Sequence, residues 1–72
     1  MNLTFGEILR LKRTRAGLSV KDVGEKSGFH FATIATWERK KRSWKELPYE
    51  WLERLAAALQ CPVEEIKEDK AA

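Results

Sequence analysis

The chain contains one histidine, His30, and one cysteine, Cys61, the side chains best able to act as general base, nucleophile or metal ligand. No Cys-x-x-Cys pair, histidine-rich tract or glycine-rich phosphate loop accompanies them. Catalysis by this pair would require the two side chains to meet, yet we expect one at the start of a helix and the other beyond the end of a later helix. The sequence therefore predicts no enzyme, no metal site and no bound cofactor.

The cationic side chains can do a different chemistry, which is pairing with phosphate. Residues 1–45 contain eleven Lys or Arg against four acids, a net charge of +7, whereas residues 46–72 contain three bases and seven acids, a net charge of −4. Five of the positive charges fall within residues 39–45. Most charge runs are solvated loops, but a basic half of this kind suits a polyanion. The acidic half is expected to lie away from that ligand or to meet another protein.

Length and composition limit the architecture. A chain of 72 residues, 43% hydrophobic and 35% charged, can bury one modest core. The absence of a long apolar run and of a signal-like start predicts a soluble, cytoplasmic protein without a membrane segment. The single cysteine fits a reducing compartment. We expect one domain over residues 1–68 and a frayed tail over residues 69–72.

Two helices at the start of the chain have matching signals at both ends. Thr4 and Ser19 each precede an acidic residue by three positions, which is the spacing of a capping box. Gly17 and Gly28 then stand where a helix end favours a residue that tolerates positive φ. The sequence predicts one helix between Thr4 and Gly17 and a second between Ser19 and Gly28.

A third helix is predicted immediately after the second. Ile34 and Trp37, three positions apart, are expected to point inward, with Phe29 packed on Ile34 across His30. Two short helices joined by a glycine-containing turn form the helix-turn-helix signature, predicted here over residues 18–38. The outer side of the third helix then carries Phe31, Ala32, Ala35, Thr36 and Arg39.

The remaining sequence predicts a helix that closes the core. Pro48 suits its first turn, where the missing N–H costs nothing, and Leu52, Leu55 and Leu59 share one face. Pro62 is expected to begin a short fifth helix. No segment alternates like a strand. The predicted fold class is all-α, a compact bundle of four helices plus a short fifth, with the helix-turn-helix at helices two and three.

These residues resemble the phage lambda repressor and Cro family of helix-turn-helix DNA-binding domains, and the likeness covers most of the chain. The resemblance implies sequence-specific binding of double-stranded DNA by a small phage-type or bacterial repressor that reads the major groove with residues 30–38. Family members commonly bind as homodimers on two half-sites. The matching residues are Gly17, Leu18, Ser19, Asp22, Gly24, Gly28, Thr33, Ile34 and Glu38 in the motif, and Leu52, Leu55, Ala56, Leu59, Val63, Glu64, Glu65 and Ile66 after it.

Three features depart from the family pattern. Val20 stands where the family often has a phosphate-contacting Gln. Lys40 replaces a common Gly, which requires a different ending for the third helix. The segment that follows is longer than usual, and Trp44 within it is expected to pack beneath the loop rather than stack on a nucleotide.

The resemblance also implies roles for individual residues. Arg13 is expected to pair with Glu38 and to fix the tilt of the reading helix, the alternative being an exposed pair worth less than about 1 kcal/mol. His30 either touches a phosphate or only caps its helix. The basic run follows the reading helix, where a duplex backbone would lie. The predicted phosphate contacts are Ser19, His30, Thr33, Lys40, Lys41 and Arg42.

The predicted base-reading face is unusually apolar. Bases are most often discriminated by Arg, Lys, Asn and Gln, but this face offers methyl groups, one ring and one hydroxyl. We therefore expect base choice to rest on contact with thymine methyl groups and on DNA shape, with Arg39 the one good candidate for guanine. The base-reading residues are Phe31, Ala32, Ala35, Thr36 and Arg39.

Other assemblies and functions are open at this point. A homodimer contact is expected from the last two helices or the tail, with Trp51, Val63 and Ile66 as apolar candidates. An antitoxin would bind DNA and also a toxin through the acidic C-terminal half. A helical protein-interaction module would use the same fold without DNA, although the charge asymmetry argues against it.

Overall fold

The computed structural model describes residues 3–40 and 43–67, and within these ranges all regular secondary structure is helical. The helical elements match the predicted all-α class and order. The predicted fifth helix is a single 3₁₀ turn, closed by bonds from the N–H groups of Glu65 and Ile66 to the carbonyls three residues earlier. The elements are α1 (Phe5–Arg15), α2 (Val20–Ser27), α3 (Phe31–Arg39), a first 3₁₀ turn (Trp44–Glu46), α4 (Tyr49–Leu59) and a second 3₁₀ turn (Val63–Glu65).

Both predicted capping boxes form. The Thr4 hydroxyl accepts a hydrogen bond from the Glu7 N–H at 3.2 Å, and the Glu7 carboxylate accepts one from the Thr4 N–H at 2.8 Å. Ser19 and Asp22 repeat the arrangement at 3.0 and 2.9 Å. Hydrogen bonds from Ser19 hold the pKa of Asp22 below its usual range. The contribution of this cap is therefore present at neutral pH and is lost as the pH falls through that lowered pKa.

Helices α2 and α4 end differently from α3. Gly28 closes α2 in the left-handed conformation, φ 85°, and its N–H donates to the carbonyl of Gly24 at 2.8 Å. Gln60 closes α4 in the same region. Lys40 ends α3 instead by turning extended, at φ −88° and ψ 148°. This ending suits a side chain that would be strained at positive φ, so the family glycine is not needed here.

The core lies where the four helices meet, and Phe5, Ile34, Leu52 and Leu55 are almost fully enclosed in it. Ile66 is also fully buried, because the second 3₁₀ turn folds back onto the bundle. The prediction that Ile66 offers an exposed dimer contact is therefore wrong. Among the described residues, no helix has the length and apolar character needed to cross a bilayer.

Gly6 lets α1 approach α3 closely. A Cβ atom at Gly6 would lie 2.5 Å from the Trp37 carbonyl oxygen and 2.7 Å from that of Glu38. Both obstructing atoms belong to the backbone, so they can only move if the two helices move apart. The sequence offered no specific signal for this contact, because it depends on how two separate helices pack.

We expect Gly6→Ala to lower the free energy of unfolding by about 2–3 kcal/mol, despite the better helix propensity of alanine. Urea denaturation measures this change. Gly17→Ala is the matched control, since a Cβ there meets no atom within 4 Å and only the positive φ is strained. It should cost less, about 1–2 kcal/mol. A Gly6→Ala protein as stable as the unchanged chain would contradict the close approach.

Candidate nucleic-acid interface

The helix-turn-helix is held together by a small residue at its centre. A Cβ atom on Gly24 would lie 2.8 Å from the Phe29 carbonyl oxygen and 3.2 Å from the Phe31 Cα. Gly24 therefore lets the backbones approach closely, and the obstructing groups are the turn and the first residue of α3. The angle at which α3 leaves the turn therefore depends on this glycine.

The inner side of α3 packs on aromatic rings. Ile34 and Trp37 are buried, as predicted. The Phe29 ring lies edge-on to Trp37, with centroids 5.1 Å apart, and edge-on to Trp51 at 5.5 Å. Trp51 comes from α4, so the three rings join the turn, α3 and α4. Such offset and edge-to-face contacts stabilise more than their buried area alone and give α3 a rigid support.

Arg54 covers the turn from outside, and sequence reasoning missed it. Its Nε donates to the Ser27 carbonyl at 2.9 Å, satisfying a carbonyl at the end of α2. Its guanidinium lies 4.1 Å above the Phe29 ring, a cation–π contact. Gly28 makes room for it, because a Cβ there would lie 2.6 Å from Arg54 Nη2. No local pattern signals this partner, since it belongs to a helix far along the chain.

Arg13 and Glu38 join α1 to the end of α3, as the resemblance implied. Arg13 Nε lies 2.7 Å from Glu38 Oε2, and Nη2 lies 3.1 Å from Oε1, so the pair is bidentate. Arg13 Nη1 also donates to the Leu18 carbonyl at 3.0 Å. The two side chains are only 14% and 8% exposed, so this is not an exposed surface pair. Hydrogen bonding to Glu38 raises the pKa of Arg13 above its usual range.

The outer side of α3 carries the five residues predicted to read bases. Phe31 is 52% exposed, Ala32 and Arg39 are exposed, and Ala35 and Thr36 are half-buried. The Thr36 hydroxyl donates to the Ala32 carbonyl at 2.9 Å, so its proton is used within the helix. Towards its N-terminal end this surface presents a ring and methyl groups, and towards its C-terminal end one guanidinium.

His30 combines two contacts at the start of α3. Its Nδ1 accepts a hydrogen bond from the Ala32 N–H at 3.0 Å, so the predicted cap is present. An accepting Nδ1 carries no proton, which leaves the hydrogen of the neutral ring on Nε2. The ring also stacks on Phe31, with centroids 4.5 Å apart and planes inclined by 27°. The cap fixes the imidazole, and the imidazole in turn supports the exposed Phe31 ring.

The residues predicted to contact phosphate lie on both helices of the motif and just after it. Ser19 is exposed at the start of α2, Thr33 is half-buried in the first turn of α3, and Lys40 is exposed directly after α3. Lys41 and Arg42 lie outside the described residues. In the segment after them, Trp44 packs against the core, as predicted.

Cys61 lies apart from this surface. It is half-buried against the core after α4, and this burial raises the pKa of its thiol. A raised pKa disfavours the thiolate that reactive cysteines use. Within the ranges 3–40 and 43–67, no three His, Cys, Asp or Glu side chains are grouped to hold a metal ion.

Comparisons with known proteins agree with this geometry. Residues 4–68 match the model of a helix-turn-helix domain family. The restriction-modification controller protein C.AhdI from Aeromonas hydrophila is 31% identical with a TM-score of 0.75, covering 86% of this chain and 89% of that one. The DNA-binding domain of the P22 c2 repressor is 28% identical with a TM-score of 0.78, and the match covers 89% of this chain and 80% of that one.

A third structure contains the P22 c2 repressor in complex with a synthetic operator. It is 28% identical to this chain with a TM-score of 0.76, covering 90% of this chain and 94% of that one. No curated protein matches the chain. The family match spans the capping boxes, both helices of the motif and the closing helix α4. The chain therefore belongs to the helix-turn-helix domain family, with the lambda repressor type of fold that its sequence predicted.

Proposed function

We propose that this protein is a sequence-specific regulator of transcription that binds double-stranded DNA with α3 in the major groove. The observation that carries the proposal is the exposed outer side of α3, supported from behind by three aromatic rings and tied at its end to α1 by Arg13 and Glu38. A rigid helix with one free face is what insertion into a groove requires. The operator complex of the P22 c2 repressor supports the same use of the fold.

In this proposal the outer side of α3 reads bases in two ways. Phe31, Ala32, Ala35 and Thr36 contact methyl groups of thymine, because they offer apolar atoms to the groove floor. Arg39, near the C-terminal end of α3, pairs with the O6 and N7 atoms of a guanine. DNA shape supplies the rest of the sequence preference.

Phosphate contacts set the position of the protein on the duplex. Ser19 and His30 stand at the N-termini of α2 and α3, where backbone N–H groups and the helix dipole favour an anion. Thr33 and Lys40 extend this contact along α3. Lys41 and Arg42 belong to the same basic run in the sequence and are proposed as further phosphate contacts.

The protein is proposed to bind DNA as a homodimer on two half-sites. Each subunit is proposed to be a single domain over residues 1–68. The buried Ile66 is excluded from the dimer contact. Trp51 and Val63 are both partly buried against the core and retain some exposed surface. They remain the apolar candidates in the C-terminal half.

Selection of bound duplexes from a random pool tests the proposal. We expect a single enriched sequence, bound about a thousandfold or more tighter than an unrelated duplex at physiological salt. A pool that yields no enriched sequence, with equal affinity for all duplexes, would contradict sequence-specific binding. Absence of any duplex binding at low salt would contradict DNA binding altogether.

The dependence of affinity on salt gives a second, quantitative prediction. If four to six phosphates are neutralised, log K should fall linearly with log salt concentration with a slope of roughly −4 to −5. Fluorescence anisotropy with the selected duplex at several salt concentrations measures this slope. Lys40→Ala should make it shallower by about one unit, and a slope near zero would rule out phosphate contacts.

A further inference from the structure

The apolar surface at the N-terminal end of α3, formed by Phe31, Ala32 and Ala35, has no side-chain hydrogen-bonding group of its own with which to identify a base. Its ring belongs to Phe31, and its methyl groups belong to Ala32 and Ala35. The Thr36 hydroxyl on the next turn donates its proton to the Ala32 carbonyl rather than to a ligand. His30 and Thr33, the other polar side chains at this end of α3, are assigned to phosphate in the proposed function. A base that meets this surface is therefore recognised by its shape and its apolar atoms.

This surface is also pre-formed. The His30 ring is fixed by the hydrogen bond from the Ala32 N–H at 3.0 Å, and the Phe31 ring stacks on it at 4.5 Å. Ala32 and Ala35 have no side-chain rotamers to lose. An apolar group that docks here meets a surface that is already ordered, so little of its contact energy is spent on ordering side chains.

Thymine and 5-methylcytosine present the same apolar group to such a surface. Both carry a methyl group at C5 in the major groove, and they differ at C4, where thymine has an acceptor oxygen and cytosine a donor amino group. Telling them apart requires a side chain that pairs with the C4 group or with the opposite purine. Phe31, Ala32 and Ala35 cannot do so.

We propose that α3 recognises C5-methylated pyrimidines as a class, so that methylation of a cytosine in the groove strengthens binding. This inference rests on the proposed function, because it needs α3 in the major groove. The proposed recognition applies only to the base pairs that face Phe31, Ala32 and Ala35. Base pairs facing Arg39 are excluded, because a guanidinium distinguishes guanine through hydrogen bonds.

The test compares duplexes that differ by one methyl group. At each thymine of the selected duplex, four versions are prepared: thymine or deoxyuridine opposite adenine, and 5-methylcytosine or cytosine opposite guanine. We expect the protein to bind the thymine duplex about threefold to fivefold tighter than the deoxyuridine duplex. At the same positions, its affinity for the 5-methylcytosine duplex should exceed that for the cytosine duplex by a similar factor. If 5-methylcytosine gains nothing over cytosine where thymine exceeds deoxyuridine, or if no position responds to a methyl group, the inference is wrong.

Variants show whether the methyl group acts through α3 or through DNA shape. Phe31→Ala should remove most of the gain from 5-methylcytosine, whereas Tyr49→Ala should keep it. Tyr49 is a suitable control because it is an aromatic residue of similar exposure, 53% against 52%, on α4. A gain that survives in both Phe31→Ala and Ala32→Gly would also overturn the inference. These results are distinct from failure of the proposed function, in which no duplex is selected at all.

Discussion

Ala32→Glu is expected to weaken binding of the selected duplex by about a hundredfold or more, because it brings a carboxylate into a groove bordered by phosphates. The free protein should tolerate the change. Ala32 is exposed, and an acidic side chain in the first turn of a helix interacts favourably with the helix dipole. Loss of binding would thus not reflect loss of folding, which circular dichroism and thermal unfolding can verify.

Ala57→Glu is the matched control for this experiment. Ala57 is an exposed alanine in α4, and the same substitution there changes the net charge by the same amount. We expect its effect on affinity to stay within about threefold, because exposed charges more than a Debye length from the duplex are screened at physiological salt. Equal affinities of the two variants would show that the outer side of α3 does not face DNA.

Glu38→Ala is expected to lower the free energy of unfolding by about 3–5 kcal/mol, because it leaves a largely buried guanidinium without its partner. With Glu38 in place the Arg13 side chain is only 14% exposed, and without Glu38 its remaining hydrogen bond is the one to the Leu18 carbonyl. Chemical denaturation with urea measures the change. The loss should be largely recovered in Arg13→Met with Glu38→Leu, which removes both charges together.

Glu65→Ala provides the comparison for an exposed pair. Lys12 Nζ lies 2.7 Å from Glu65 Oε1, the same N–O distance as between Arg13 and Glu38, but the side chains are 24% and 49% exposed. We expect a cost below about 1 kcal/mol here. If Glu38→Ala lowers the free energy of unfolding no more than Glu65→Ala does, the Arg13 and Glu38 pair contributes no more than a surface contact. That result would also contradict its role in orienting α3.

Local signals in the sequence determined the helices and their boundaries. A capping box needs only two residues three positions apart, and Gly28 closes α2 through its own backbone conformation. Both are decided within one turn of chain, so they can be read without knowledge of the fold. Spacing alone also placed Ile34 and Trp37 in the core. The exposure of Phe31 and Ala32 follows from the same periodicity.

Only the tertiary structure decided the contacts that join distant segments. Arg54 reaches the end of α2 from α4, Gly6 lies against the carbonyls of α3, and Ile66 is enclosed where an exposed dimer contact was expected. Each of these depends on the angle and distance between packed elements, which no periodicity within one element encodes. The sequence by itself determined which face of α3 is free. Packing determined how rigidly that face is held, since its support comes from α1, the turn and α4.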